Sequence, residues 1–142
     1  MIPVVAAVAA VLALVGLIAW ALSRARTRRI RTTRLRLVIP GLPAPLQGLR
    51  LAYVCDLHEG MLCVTREELL SAVDAAAPDL LLLGGDYAAS SRDRGDALSL
   101  LAALGAKRPA FGVPGNTEHY FRLDLGALDE TLAQGGGGLL VN

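Results

Sequence analysis

The side chains most able to do chemistry here are carboxylates, an amide and an imidazole that follow three short apolar runs. Asp56 and His58 follow the first run, Asp86 follows the second, and Asn116 follows the third. The intervals from Asp56 to Asp86 and from Asp86 to Asn116 are both 30 residues, about the length of one strand–crossover–strand unit. Because open parallel sheets bind ligands at the carboxyl ends of their strands, we expect these side chains to converge. Oxygen and imidazole donors at one sheet edge predict a metal site.

The types of donor indicate which ions would bind. Asp56 and His58 are two positions apart, so at an extended strand tip their side chains face the same side. Gly85 lets an ion or a phosphate come near the backbone, and the Asp86 carboxylate is able to bridge two cations. Asn116 adds a neutral amide oxygen. Mixed imidazole and carboxylate donors suit Mn, Fe or Zn better than Ca. Two such ions about 3.5–4 Å apart activate a bridging hydroxide and clamp a phosphoryl group.

Apolar runs and helical patterns alternate along the chain, which predicts an α/β fold with parallel βαβ units. The predicted strands span residues 35–39, 49–54, 80–83 and 110–113, and another begins at residue 139. Thr65 and Glu68 form a T-x-x-E capping box at the start of the first helix of this part, and Pro78 ends that helix. Two further helices are predicted over about 96–107 and 125–134.

An uncharged apolar segment at the N-terminus predicts a transmembrane helix. The segment from Val4 to Leu22 has 19 residues, which at about 1.5 Å per residue extend roughly 28 Å, close to the thickness of a bilayer's hydrocarbon core. No basic residue precedes it and no clear small-x-small cleavage site follows it. These flanks favour a retained anchor over a cleaved signal. A buried helix of a soluble protein is the remaining alternative.

A cluster of arginines with no acidic residue among them directly follows this segment. Its members are Arg24, Arg26, Arg28, Arg29, Arg31, Arg34 and Arg36. A basic cluster beside a transmembrane helix favours the cytoplasmic side, so we predict a single-pass membrane protein whose C-terminal domain is cytoplasmic. The rival interpretation is nucleic-acid binding, but no aromatic residues are interleaved and no reading helix is evident, so we expect no nucleic-acid partner. The predicted segments are an anchor over 1–23, a basic linker over 24–34 and an α/β domain over 35–142.

The ordered motifs resemble those of the calcineurin-like metallophosphoesterase superfamily. The matching motifs are Asp56-x-His58, Gly85-Asp86 and Gly115-Asn116. The run from Pro78 to Asp86 is similar to that family's strand and loop before its bridging aspartate. The residues from Gly48 to Leu51, together with the N-terminal anchor, resemble a membrane-associated bacterial branch. The resemblance implies that residues 35–142 form the N-terminal half of a layered α/β sandwich.

The resemblance also implies a role for each matching residue. Asp56 and His58 would bind the first of two divalent ions, Asp86 would bridge both ions, and Asn116 would bind the second. The family's histidine after Gly-Asn is replaced by Thr117, and His119 becomes the predicted catalytic acid if this loop is extended. The later histidine motifs of the family have no counterpart in this sequence. We therefore expect the domain to be truncated at its C-terminus.

Together these features predict a membrane-anchored, metal-dependent hydrolase. Its substrate would be a phosphorylated small molecule or a lipid-linked compound, with a phosphomonoester, phosphodiester or pyrophosphate bond cleaved by a hydroxide that two divalent metal ions activate. The alternative is a non-catalytic or degenerate anchored α/β module that binds a metal or a partner, because the family's C-terminal histidine ligands have no counterpart. Neither a P-loop nor a dinucleotide-binding glycine motif occurs in the sequence.

Overall fold

The computed structural model describes the backbone of residues 2–142, and the side chains of the same range except for residues 2–4, 25 and 26. The chain divides into two units, Met1–Arg31 and Thr32–Asn142. In the first unit, helix α1 spans Ile2–Thr27. Its stretch Val5–Arg24 has a mean hydropathy of 2.7, and none of its residues is buried by the rest of the protein. Helix α1 is therefore long and apolar enough to cross a membrane. Length and composition of this kind are compatible with an anchor or with a signal sequence.

The second unit contains one four-stranded parallel sheet whose strands follow chain order. The strands are β1 (Leu51–Val54), β2 (Leu80–Leu83), β3 (Ala110–Gly112) and β4 (Gly138–Leu139). The last residues of the first three strands, Val54, Leu83 and Gly112, pair with one another in register. The loops that follow these strands therefore leave the sheet from the same edge. This sheet confirms the predicted α/β class with parallel βαβ units.

Helices of the second unit connect consecutive strands. They are α2 (Arg66–Ala76), α3 (Arg94–Gly105), α4 (Asn116–Tyr120) and α5 (Leu125–Ala133). The predicted capping box of α2 is confirmed, because the Thr65 hydroxyl accepts from the Glu68 backbone N–H and the Glu68 carboxylate accepts from the Thr65 N–H. Helix α2 ends at Ala76, and its C-cap residue Ala77 lies in the left-handed region at φ 46°, directly before Pro78.

The hydrophobic core lies between the sheet and helices α2, α3 and α5. Right-handed crossovers between strands in sequential order place their helices on the same face of the sheet. Leu81 and Leu83 of β2 face these helices and are 0% and 1% exposed. Leu51 and Tyr53 of β1 point to the opposite face, where they are 53% and 67% exposed. The described helices therefore cover one face of the sheet and leave Leu51 and Tyr53 exposed on the other.

The structure departs from the local predictions in several places: among them, β3 ends at Gly112 rather than at residue 113, and β4 begins at Gly138 rather than at residue 139. Residues 35–39 form no strand, because no described strand pairs with them and an isolated strand gains no ladder hydrogen bonds. Strand β1 begins at Leu51 rather than at residue 49, and α3 spans Arg94–Gly105 rather than about 96–107. Helix α4 was not predicted at all. The domain boundaries 1–23, 24–34 and 35–142 stay a prediction.

Candidate metal centre

The structure brings three of the predicted ligands together at the carboxyl edge of the sheet. Asp56 and His58 lie in the loop after β1, and Asp86 lies in the loop after β2; each offers one ligand atom, and these atoms lie within 4.8 Å of one another. Backbone pairing continues beyond the strands, because the Asp56 N–H donates to Gly85 O at 3.1 Å and the His58 N–H to Asp86 O at 2.9 Å. The first two ligand loops are therefore held side by side.

The same three residues adopt backbone conformations that side chains rarely adopt. Their φ angles are +53° at Asp56, +42° at His58 and +58° at Asp86. Left-handed conformations of this kind cost on the order of 1–3 kcal/mol each in residues other than glycine, and they persist where surrounding contacts impose them. Asp tolerates this region better than His does. Strain at all three candidate ligands is typical of a functional site.

Asn116 opens helix α4 and lies against the Asp86 carboxylate. With its amide nitrogen turned toward Asp86, it donates to Oδ2 at 2.8 Å and to Oδ1 at 3.0 Å. The Thr117 backbone N–H also donates to Asp86 Oδ1, at 2.9 Å. The same amide turned over presents its oxygen instead, as a cation beside Asp86 would require. The structure thus brings the fourth predicted ligand to the same carboxylate.

Glu118 is a buried carboxylate that joins the second and third ligand loops, and it is 1% exposed. Its Oε2 accepts from the backbone N–H groups of Asp86 and Gly115, both at 2.8 Å. Its Oε1 accepts from the Tyr87 N–H at 2.9 Å and from the Thr117 hydroxyl at 3.3 Å. Three backbone donors on one buried charge make strong hydrogen bonds. Glu118 therefore fixes the backbone that carries Asp86 relative to the start of α4.

Tyr87, which is 1% exposed, provides a second hydrogen-bonded link between the loops that follow β2 and β3. Its hydroxyl donates to Val113 O at 2.7 Å, in the loop after β3, and also lies 3.2 Å from Leu83 O. Burial raises the pKa of Tyr87, and the negative charge of Glu118 raises it further. The hydroxyl therefore stays protonated at neutral pH and keeps its role as a donor.

Two glycines allow the ligand loops to approach this closely. A Cβ on Gly85, whose φ is +88°, would meet the backbone nitrogen of Gly115 and lie 2.6 Å from its Cα. A Cβ on Gly115 would lie 2.5 Å from the backbone nitrogen of Asp86. Both contacts are with backbone atoms, which have no rotamer to change. The glycines in the Gly-Asp and Gly-Asn motifs are thus required by packing between the loops.

The loop that carries His58 is fixed from its other side by Glu59 and Arg66. Glu59 Oε1 accepts from the Arg66 guanidinium at 3.1 and 3.2 Å, and the guanidinium also donates to Asp96 O at 2.7 Å. This network links the loop after β1 to helices α2 and α3. Sequence reasoning did not single out Glu59 or Arg66, because their mutual contact spans 7 positions and the contact of Arg66 with Asp96 spans 30, and neither spacing forms a local pattern.

Cys55 precedes Asp56 at the end of β1. Hydrogen bonding to the Asp56 carboxylate raises the pKa of the Cys55 thiol, and partial burial adds to the shift. Cys55 is not among the described residues whose ligand atoms group at this edge.

His119 does not share a face with Thr117, because the loop is helical rather than extended. Both residues lie in α4, where positions two apart point about 200° away from each other. His119 is exposed on this helix. The geometric condition on which its predicted catalytic role depended is therefore not met, and that role stays a prediction.

A cleft of about 450 Å³ opens beside the candidate ligands. Asp56, His58 and Thr117 line one part of it, and apolar side chains, including Met61 and Phe121, line the rest. Its volume is within the range of small-molecule sites. A molecule bound at Asp56 and His58 would therefore have room to extend over apolar surface.

The donor set fits a divalent transition metal. Two carboxylates and one imidazole are ligands that Mn, Fe and Zn accept, and the strained loops present them together. Among the predicted ligands in the described part of the chain, a second ion would find the shared Asp86 and the Asn116 amide, so the fit to one ion is better than the fit to two. This difference predicts unequal affinities for a first and a second ion.

Comparisons with known proteins agree with this geometry. The model of the calcineurin-like phosphoesterase family matches residues 49–136, a range that contains all four predicted ligands and Glu118. No curated protein and no solved structure matches the chain. Since the family match covers more than half of the sequence, the chain belongs to the calcineurin-like phosphoesterase family.

Proposed function

We propose that this chain is a membrane-anchored, metal-dependent phosphoesterase that hydrolyses a phosphomonoester, phosphodiester or pyrophosphate bond. The observation that supports this most is the grouping of ligand atoms of Asp56, His58 and Asp86 within 4.8 Å, in the loops that follow the neighbouring strands β1 and β2 at one edge of the sheet. The family match over residues 49–136 supports the same reaction class. The substrate would be a phosphorylated small molecule or a lipid-linked compound.

Each side chain of the centre has a distinct proposed role. Asp56 and His58 hold a first divalent ion, Asp86 bridges to a second, and Asn116 holds that second ion through its amide oxygen. When bound, Mn, Fe or Zn ions supply an activated water nucleophile and offset charge on the phosphoryl group. Glu118 contributes indirectly, because it positions the Asp86 backbone. His119 stays the proposed proton donor to the leaving group, although α4 turns it away from Thr117. Unchanged turnover in His119→Ala would dismiss that role.

The experiment that tests this function uses the full-length chain in a non-ionic detergent. Calorimetric titration with Mn²⁺ measures binding, and hydrolysis of p-nitrophenyl phosphate and bis-p-nitrophenyl phosphate measures turnover. Asp86→Asn should weaken Mn²⁺ binding by more than the roughly 10–100-fold that loss of an outer-shell partner costs, because it removes the charge of a proposed ligand. Glu130→Gln is the matched control, since Glu130 is exposed on α5. If the chain binds no Mn²⁺ at saturating concentration, the proposal fails.

A second candidate function is a non-catalytic anchored module that binds one metal or a partner. The observation that favours it is the donor count, since only one imidazole joins the described cluster. This function predicts one weakly held ion per chain and no hydrolysis of either ester. Two tightly bound ions per chain would contradict it.

We also propose that α1 anchors the chain and that the phosphoesterase domain faces the cytoplasm. An apolar helix followed by an arginine cluster supports this orientation. In intact cells, protease added from outside should leave the C-terminal domain undigested, whereas the same protease should digest it in opened cells. Cleavage of the domain in intact cells would reverse the proposed orientation.

A further inference from the structure

The cleft beside the candidate metal ligands has an apolar floor that the core holds in place. Leu57 is 4% exposed and belongs to the core, while Leu62 and Phe121 pack against that core. Met61 lines the same cleft and is 73% exposed. This apolar surface is held by the core on one side and exposed to solvent on the other. A ligand that covers it removes apolar area from water, which lowers the free energy of the complex. The cleft is therefore suited to an apolar group rather than to bound water alone.

The charges around the cleft narrow the choice of ligand further. None of the described residues that line it is Lys or Arg, and the only carboxylate among them is Asp56. Recognition of a second phosphate or a carboxylate normally uses a basic side chain. A substituent that carries further negative charge, such as a polyphosphate chain, would find no partner there.

The cleft is also continuous with the proposed metal centre. Asp56 and His58 both offer metal-ligand atoms and both line the cleft, and Thr117, whose N–H donates to Asp86, lines it too. A phosphoryl group at the metal ligands would therefore leave its substituent beside Met61 and Phe121. This continuity fixes the kind of occupant, because the apolar group must be joined to a phosphoryl group.

We propose that the cleft binds an apolar substituent of the phosphoester, so that the enzyme prefers esters with an aromatic or alkyl group next to the phosphoryl group. This inference rests on the proposed phosphoesterase function. A phenyl ring that loses roughly 60 Å² of exposed surface in the cleft should bind about tenfold more tightly than a methyl group in its place. The preference concerns binding, so it is measurable without turnover.

The test is a calorimetric titration of the Mn²⁺-loaded full-length chain with three phosphonates that are not hydrolysed. Methylphosphonate reports the phosphoryl site alone, phenylphosphonate adds an aromatic group, and hexylphosphonate adds a flexible alkyl chain like that of a lipid. We expect phenyl- or hexylphosphonate to bind about tenfold more tightly than methylphosphonate. Tighter binding of phenylphosphonate would indicate an aryl ester as the substrate, and tighter binding of hexylphosphonate would indicate a lipid-like ester.

Met61→Gln provides the matched variant, because it keeps the length of the side chain and removes its apolar character. In this variant the tenfold preference should fall to about threefold or less, since part of the cleft's apolar surface is lost. Leu140→Gln is the control: Leu140 is 57% exposed and does not line the cleft. Circular dichroism of both variants should match that of the unmodified chain, because both side chains are exposed.

The outcomes separate this inference from the function on which it rests. Equal affinity for all three phosphonates would overturn the inference and leave the metal centre intact. Phenylphosphonate binding that does not depend on Mn²⁺ would also overturn it, because substituent and phosphoryl group would not be recognised together. If Mn²⁺ binds but no phosphonate does, the proposed function fails as well.

Discussion

Replacement of Glu118 by glutamine should destabilise the second unit, although it changes only one oxygen to an NH₂ group. In the native structure both carboxylate oxygens accept hydrogen bonds, Oε2 from Asp86 and Gly115 and Oε1 from Tyr87 and Thr117. Glutamine has only one accepting oxygen in its side chain. Its NH₂ group must therefore face at least one backbone N–H.

The less damaging orientation of the glutamine keeps its oxygen at the Oε2 position. The Tyr87 N–H then faces an NH₂ group and is buried without an acceptor, which costs about 1–3 kcal/mol. The bonds from Asp86 and Gly115 weaken by about 1 kcal/mol each, because they now end on a neutral oxygen. Relief from burying a charge offsets part of this loss. The expected net decrease in the free energy of unfolding is about 2–3 kcal/mol.

Urea denaturation of the full-length chain in detergent, followed by circular dichroism, measures this change. Glu130→Gln is the control and should remain within about 0.5 kcal/mol of the unmodified chain. Mn²⁺ affinity should also fall by about tenfold in Glu118→Gln, since outer-shell partners of ligands contribute factors of 10–100. If both stability and Mn²⁺ affinity were unchanged in Glu118→Gln, the reasoning about this carboxylate would be refuted.

Three further predictions concern packing and pH. Gly85→Ala should destabilise the second unit by about 2–4 kcal/mol in urea titrations, because its Cβ meets the Gly115 backbone at a φ of +88°. Leu101→Ala, at a side chain 0% exposed, should cost about 2–5 kcal/mol, whereas Leu140→Ala should change the same measurement by less than about 0.5 kcal/mol. Hydrogen bonds from Lys107 and Arg108 lower the pKa of Asp74 in the folded chain. The ionised carboxylate therefore stabilises the fold at pH values above its ordinary pKa of about 3.9, and this stabilisation is lost as the pH falls through the lowered pKa. Asp74→Asn should therefore make the urea midpoint less dependent on pH below about 4, and an unchanged pH profile would contradict the assigned pairing.

The strands and the longer helices were predictable because their signals are local. The four-leucine run Leu80–Leu83 coincides with β2. An unbroken apolar run predicts a central parallel strand covered on both faces, whereas Leu81 and Leu83 are buried and Leu80 and Leu82 only half-buried. The capping box of Thr65 and Glu68 marks the start of α2 for the same reason, since both partners lie within one turn. Signals of this kind also placed Asp56 and Asp86 at strand ends, from which their convergence followed.

The features that the sequence did not reveal depend on contacts between distant residues. Glu118 contacts Asp86 and Tyr87, which lie 32 and 31 positions earlier, and only the folded sheet brings them near. Helix α4 has only five residues, too few for an apolar pattern of helical period to reveal it. An acidic residue three positions after Gly115 resembles half of a capping box, and this was the one local signal available. Conversely, the alternation over residues 35–39 predicted a strand, but no partner strand exists for it in the described part of the chain.

The unequal covering of the sheet has a consequence for handling the domain in water. Leu51 and Tyr53 present large apolar side chains on an edge strand, on the face away from α2, α3 and α5. Contiguous surface of this kind promotes association between molecules, and an edge strand adds unpaired backbone groups. Removal of the apolar N-terminal helix alone should therefore not make the remaining domain freely soluble. Tyr53→Lys would place a charge on that surface and should raise the concentration up to which light scattering shows the domain to be monomeric.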